Sequence, residues 1–199
     1  MGRVRLIVCF ILTWAGLARS NAEAAGRWWL GTELGAASST DAPAQRGLAT
    51  GLTLEYRAES GFTAGAEATS STFDHGGGMS PEGDVTLHSR LFGAFLRMNL
   101  FRSLAVRPFL TLGGAHYEFT KEVPAYEQFD SLGTVVAFYS GGTKSLGGNF
   151  DLNAGGGIGW GIAHRVEGAV EVRYHGMIET DDRFRHVNLL IRLVFDLTG

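Results

Sequence analysis

The side chains with the most chemical potential in this chain sit at alternate positions of short segments. Glu55 and Arg57 are two residues apart, Glu171 and Arg173 likewise, and Glu67, Asp151 and Arg192 occupy comparable alternating positions elsewhere. Residues i and i+2 of an extended strand point to the same side, so each of these charges shares a face with small or polar neighbours. Paired carboxylates and guanidiniums enclosed together imply an ion-pair network, because an unpaired enclosed charge costs several kcal/mol. A charge-lined or gated pore is the functional alternative. A hairpin register centred in the segment Gly176–Arg185 places Glu171 opposite Arg192.

The histidines offer less. His88 is followed directly by Ser89, and adjacent strand residues face opposite ways, so no Ser–His nucleophile forms there. His116, His164 and His186 have no partner at metal-ligand spacing, and no metal site is expected. The run Gly155-Gly156-Gly157 with Gly159 is not followed by a helix that could hold a phosphate at its N-terminus. No cofactor is expected. The formal net charge is -3, which argues against a nucleic-acid partner.

The elements that must position these residues are strands. Val187, Leu189, Ile191, Leu193, Phe195 and Leu197 alternate with Asn188, Leu190, Arg192, Val194 and Asp196. Val166, Gly168, Val170, Val172 and Tyr174 alternate with Glu167, Ala169, Glu171, Arg173 and His175. Phe150, Leu152, Ala154, Gly156, Ile158 and Trp160 alternate with Asn149, Asp151, Asn153 and three glycines. Weaker alternation over 28–37, 48–57, 62–72, 86–98 and 106–118 brings the total to eight strands. In 86–98 the phase is mixed, and a β-bulge or a change of face is expected near Arg90.

Connections between these strands alternate between long and short. They are long at 38–47, 74–84, 120–148 and 176–185, and short at 58–61, 99–105 and 163–165. Antiparallel neighbours put alternate connections at opposite ends, so one rim carries all the long loops. That asymmetry, with short turns on one side, is the pattern of an outer-membrane barrel. Phe150 and Trp160 share a face ten residues apart, roughly 33 Å along a strand, or about 25 Å of height at a tilt of ~40°. Trp28, Trp29, Tyr56, Phe62, Phe101, Trp160 and Phe195 fall near the short-turn rim, and Phe73, Tyr117, Phe119, Phe150 and Tyr174 near the other, which predicts two aromatic girdles. A secreted soluble barrel with its apolar face inward around an apolar ligand is the competing reading. Only two lysines occur, Lys121 and Lys144, both in the longest loop, and polar faces of small residues mixed with charges suit the crowded lumen of an eight-stranded barrel.

Residues 1–24 read as a signal peptide. Arg3 and Arg5 precede an apolar run from Leu6 to Ala18, and Ala22-Glu23-Ala24 supplies the small-x-small pattern a signal peptidase accepts. The run is shorter than the ~18 residues a membrane-spanning helix needs. Residues 25–199 form the barrel domain, and since Cys9 is the sole cysteine, that domain has neither disulfide nor thiolate.

The segments RPFLTLGGAHYEF, FDLNAGGGIGWGI followed by VEGAVEVRYHG, and HVNLLIRLVF resemble the small OmpA/OmpX-type outer-membrane β-barrel proteins of Gram-negative bacteria. The resemblance covers the whole of residues 25–199 and implies an all-β, eight-stranded antiparallel up-and-down barrel. It also implies outer-membrane lipids and lipopolysaccharide as surroundings, the barrel-assembly machinery as a partner, and a monomer. Such barrels usually end on an aromatic residue, whereas Phe195 is followed here by Asp196-Leu197-Thr198-Gly199. Outer-membrane lipid A deacylases carry a His-x-Ser pair near the penultimate strand; here the residue two after His175 is Met177, so the nucleophile is missing and no enzyme is expected. The expected role is structural, or an interaction made by the long loops. The longest of these contains a β-prone run, Thr134 to Tyr139, expected to extend the fifth and sixth strands as a hairpin presenting Phe138 and Tyr139; the alternative is that it enters the wall and makes ten strands.

Overall fold

In the computed structural model, residues 26–40, 46–75, 85–101, 103–129, 133–177 and 185–198 are described. The proposed signal peptide lies outside them, as does most of two long loops. The strands are β1 (Arg27–Ser39), β2 (Arg46–Arg57), β3 (Phe62–His75), β4 (Val85–Asn99), β5 (Val106–Val123), β6 (Tyr126–Phe129), β7 (Val135–Tyr139), β8 (Gly142–Ala163), β9 (Val166–Met177) and β10 (Arg185–Asp196). Eight of them close a barrel in the order β1-β10-β9-β8-β5-β4-β3-β2, every pair antiparallel, and β6 and β7 form a separate two-stranded sheet. The ten-stranded alternative does not occur.

Closure follows from the alternation read in the sequence. Leu30, Leu34, Leu48, Leu52, Phe92, Leu112, Leu152, Val172, Ile191 and Leu193 all lie on the exposed outer wall, while Arg192, Arg173, Glu171, Glu55, Asp151 and Asn188 are buried inside. An apolar exterior around a charged interior is the inverse of a soluble ligand-carrying barrel. That competing reading is therefore removed.

Turns on one rim are tight. Between β2 and β3 the amide of Gly61 donates to the Ala58 carbonyl at 3.0 Å, and Gly61 takes the left-handed φ of 86° that the turn requires. Arg165 does the same work between β8 and β9 with a φ of 71°. At the opposite rim β5 and β8 run beyond their neighbours, paired out to Val123 and Gly142, and the β6–β7 hairpin continues them. The expected hairpin extension is present. Lys121 and Lys144 are not loop residues, since they face each other in this ladder.

No bulge lies near Arg90. β4 pairs without interruption to β3 and β5, so Ser89, Leu91, Phe95 and Arg97 face inward, and Arg90 and Phe92 outward. The mixed phase arises because an apolar pair faces the lumen while a charge faces out. The register shifts occur instead at Phe119/Thr120, where the barrel gives way to its extension, and at Gly161/Ala163.

Candidate functional site: a closed lumen beneath a projecting hairpin

Seven of the eight barrel strands contribute to one ion network in the short-turn half of the lumen. Arg192 on β10 is its hub: Nε lies 2.8 Å from Glu33 Oε1, and the two terminal nitrogens donate to Glu55 at 3.0 Å and Glu171 at 2.9 Å. Arg97 on β4 bridges the same two carboxylates, at 3.1 Å and 3.3 Å. Arg173 binds Glu171 at 2.8 Å and also Glu67 on β3. Arg57 binds its neighbour Glu55 at 2.9 Å and reaches across to Glu167, which Arg107 on β5 meets at 2.6 Å.

The tally is balanced, with Arg57, Arg97, Arg107, Arg173 and Arg192 against Glu33, Glu55, Glu67, Glu167 and Glu171. Balance matters because each ion removed from water costs several kcal/mol unless its partners return that energy. The guanidinium faces are used too. Arg97, Arg173 and Arg192 lie 5.2, 5.6 and 5.4 Å from the Phe95 ring, and Arg97 packs 4.5 Å over Phe109.

The eighth strand supplies space. A Cβ on Gly157 would stand 2.1 Å from the Val170 carbonyl oxygen and 2.7 Å from the Phe109 ring. The glycine run of β8 therefore lets the β9 backbone and the Phe109 ring approach closely.

Above the network the lumen changes character. Asp151 accepts from His175 Nδ1 at 2.9 Å, and Asn188 donates to His175 Nε2 at 3.3 Å. The Tyr117 hydroxyl lies 2.9 Å from His186 Nε2 and 3.2 Å from His175 Nδ1. His175 and His186 face each other across β9 and β10 and stack with ring centres 4.5 Å apart and planes 1° from parallel. Parallel rings hold their lone pairs in separate planes, so the two cannot aim at one metal ion; among the described residues no set of three His, Cys, Asp or Glu is arranged to hold one. Phe73 packs edge-on against His186, and Phe119 stacks on Tyr117. Two apolar clusters complete the closure, Ala37, Ala49, Phe73 and Leu190 on one side and Leu91, Ala115, Tyr117 and Phe119 on the other.

An Asp–His–Tyr relay has the parts of acid–base chemistry, but His175, His186 and Tyr117 are at most 2% exposed, and the nearby Ser89 hydroxyl makes no hydrogen bond. His88 faces the other way, bonded to Thr72 at 3.3 Å and Glu122 at 3.2 Å, as adjacency requires. Among the described residues the cluster is enclosed by the wall and its packed neighbours.

All seven charges singled out in the sequence, Glu55, Arg57, Glu67, Asp151, Glu171, Arg173 and Arg192, face inward. Six join the network, and Asp151 belongs to the histidine cluster above it. The register proposed for Glu171 and Arg192 needs correction: Glu171 is opposite Leu190, and Arg192 opposite Ala169. The ion pair forms nonetheless, because a long guanidinium side chain reaches a residue two positions along. Glu33, Arg97, Arg107 and Glu167 were not singled out. Glu33 and Arg97 lie on the strands of weakest alternation, while Glu167 could have been found from its inward parity with Glu171.

The girdles also need correction. Trp28, Tyr56, Phe62, Trp160 and Phe195 lie on the outward parity at the short-turn rim, with Trp28 and Tyr56 packed at 5.2 Å. Trp29, next to Trp28, must point the other way; it is buried inside under the Arg57 guanidinium at 4.2 Å. At the long-loop rim Phe150 and Tyr174 are on the outward parity, whereas Phe73, Tyr117 and Phe119 fill the lumen. In the hairpin Phe138 is 67% exposed, and Tyr139 stacks on Tyr126 at 4.6 Å.

No protein-family model matches the chain, and no curated protein is similar to it in sequence. Among solved structures, Neisserial surface protein A superposes with a TM-score of 0.59 at 13% sequence identity, covering 85% of this chain and 97% of that one. The N-terminal β-barrel domain of Pseudomonas aeruginosa OprF and the attachment invasion locus protein Ail of Yersinia pestis also match at 13% identity over 85% of this chain, covering 99% and 97% of theirs, with TM-scores of 0.42 and 0.45. The likeness to the Neisserial protein establishes a shared fold, the eight-stranded antiparallel closed barrel.

Proposed function

We propose that this chain is an integral outer-membrane barrel that works through its projecting hairpin while its lumen stays closed. The observation that carries the reading is the pairing of an occluded interior with an exposed extension. The described interior holds a balanced ion network beneath packed aromatic side chains, with the charges and rings of both layers buried. The β5–β8 ladder, by contrast, lifts an apolar hairpin beyond the rim, with Val136 57% and Phe138 67% exposed. Exposed apolar side chains on a rigid support are the means by which a surface protein contacts a partner.

In this reading residues 1–24 direct export and are removed, residues 25–199 are inserted by the barrel-assembly machinery, and the outer wall meets outer-membrane lipids and lipopolysaccharide as a monomer. Chemistry is not its role, since the buried histidine cluster lacks both nucleophile and access. The solved Neisserial structure is named as that of a surface protein, in keeping with a role at the cell surface. Purified barrel reconstituted in a planar bilayer should show no steady conductance, and the same preparation should migrate differently on SDS gels before and after boiling because a closed barrel has no edge to fray. Large steady conductance would contradict the closed lumen. Recovery without detergent from the periplasm would contradict the membrane reading itself.

A further inference from the structure

Arg90 sets a problem that the closed barrel does not solve. It points out of the wall onto the lipid-facing side, where a cation near mid-membrane costs about 2–4 kcal/mol. Register puts Glu118 directly beside it on β5, yet no ion pair joins them. Its height is informative. Phe62 pairs with Met98 at the short-turn rim, and Ser70 pairs with Arg90 eight residues further up β3, so Arg90 stands roughly 20 Å above that rim at ~3.3 Å per residue and a ~40° tilt. Within an apolar band of about 25 Å, that is the level where acyl chains meet headgroups on the long-loop side.

Arg90 also forms the head of a groove. A trough of about 430 Å³ is cut into the outer wall, with Leu52 and Thr50 of β2 on one side and Phe92 and Arg90 of β4 on the other. Its floor is Ala68 and Ser70 of β3. In register, Leu52, Ala68 and Phe92 form one row and Thr50, Ser70 and Arg90 the next. The lower row is apolar with a small residue between two large ones, the section of a channel for a hydrocarbon chain. The upper row offers two hydroxyls and a guanidinium.

We propose that this groove binds one phosphorylated, acylated saccharide of the lipid A class, with an acyl chain over Ala68 between Leu52 and Phe92 and a phosphate against Arg90. Charge complementarity selects the phosphate, because a guanidinium at the headgroup level without a partner among the described residues is neutralised by an anion held in two hydrogen bonds. The saccharide is favoured over a small phospholipid headgroup by the field of outward polar groups around Arg90, which includes Thr50, Ser70, Thr72, His88 and His116. The inference rests on the outer-membrane reading, which places the long-loop rim in the saccharide-bearing leaflet.

Native mass spectrometry of the detergent-extracted full chain tests it. The wild-type barrel should retain one phosphorylated lipid A mass, and Arg90→Gln should lower the retained fraction about tenfold. Ala68→Phe, which fills the channel from the lipid side, should do the same, while Ala154→Phe on the outward face of β8 should leave retention unchanged. Heat-shifted migration of each variant shows that the barrel is intact. Equal retention in all four proteins, or retention of a phospholipid in place of lipid A, overturns the site while leaving the membrane reading standing. Recovery of the wild type without detergent overturns both.

Discussion

The two halves of the lumen are filled by different physics. On the short-turn side, five arginines and five glutamates interlock, and Glu55 and Glu171 each meet three guanidiniums. On the long-loop side, aromatic rings, two stacked imidazoles and small aliphatic side chains pack together with Asp151 as their carboxylate. A charge network fails at its shared members, because deleting Glu55, Glu171 or Arg192 strands three ions of the opposite sign at once. A packed plug loses only the contacts and volume of the group removed. The lower half should therefore fail steeply and the upper half gradually.

Breaking the hub gives the largest expected effect. Arg192→Ala leaves Glu33, Glu55 and Glu171 short of a cation each and should cost about 5 kcal/mol in urea unfolding from lipid vesicles, or prevent insertion. Exchanging the charges, Glu171→Arg with Arg192→Glu, should recover less than half of that, since Glu171 also serves Arg97 and Arg173. Full recovery would show that the pair stands alone and that the network is not cooperative.

Phe73→Ala in the upper plug should cost about 3–4 kcal/mol, the usual range for an enclosed ring, and should admit a small conductance in a planar bilayer. If it costs as much as Arg192→Ala, the contrast between the halves fails. Outside both, Leu193→Arg on the lipid face should cost about 2–4 kcal/mol whatever the lumen holds. A harmless Leu193→Arg would mean that the outer wall does not face hydrocarbon. The smallest effect belongs to Tyr117→Phe, which removes a hydroxyl shared by two imidazoles and should cost about 1–2 kcal/mol.

Which of these parts could be read in advance depended on how regular the alternation was. In β8, β9 and β10 every second residue is apolar or small, so the inward faces, and with them Asp151, Glu171, Arg173 and Arg192, were legible. The connection lengths carried the topology in the same way, including the eight-strand count and the hairpin extension. In β4 the lumen takes Leu91 and Phe95 while the membrane side takes Arg90, and hydrophobicity then no longer marks the side. Arg97 was lost for that reason. Glu33 was hidden by a strand whose inward face otherwise runs Trp29, Gly31, Gly35, Ala37 and Ser39, with no second charge to mark it.

What sequence could not contain was the shear between strands. It sets which residues lie level across the lumen, whereas the β9–β10 register follows from a hairpin centred on Gly176–Arg185, which pairs Glu171 with Leu190 as found. The same centred hairpin brings His175 and His186 face to face on neighbouring strands. Their spacing along the chain gives no hint of contact, since only the hairpin register makes neighbours of them. Aromatics read as an upper girdle, Phe73, Tyr117 and Phe119, went inward because a lumen of this width needs bulk as well as charge.

The central claim is a closed barrel that crosses the outer membrane with its hairpin outside. Cysteine labelling tests it most directly, because Cys9 is the sole cysteine and lies within the proposed signal peptide. Phe138→Cys places a thiol on the hairpin, and Ser60→Cys places one in the tight turn between β2 and β3. A membrane-impermeant maleimide added to intact cells should label Phe138→Cys and leave Ser60→Cys and the wild type unlabelled, with Ser60→Cys becoming reactive once the outer membrane is permeabilised. Labelling of Ser60→Cys in intact cells with protection of Phe138→Cys would invert the topology and contradict the account.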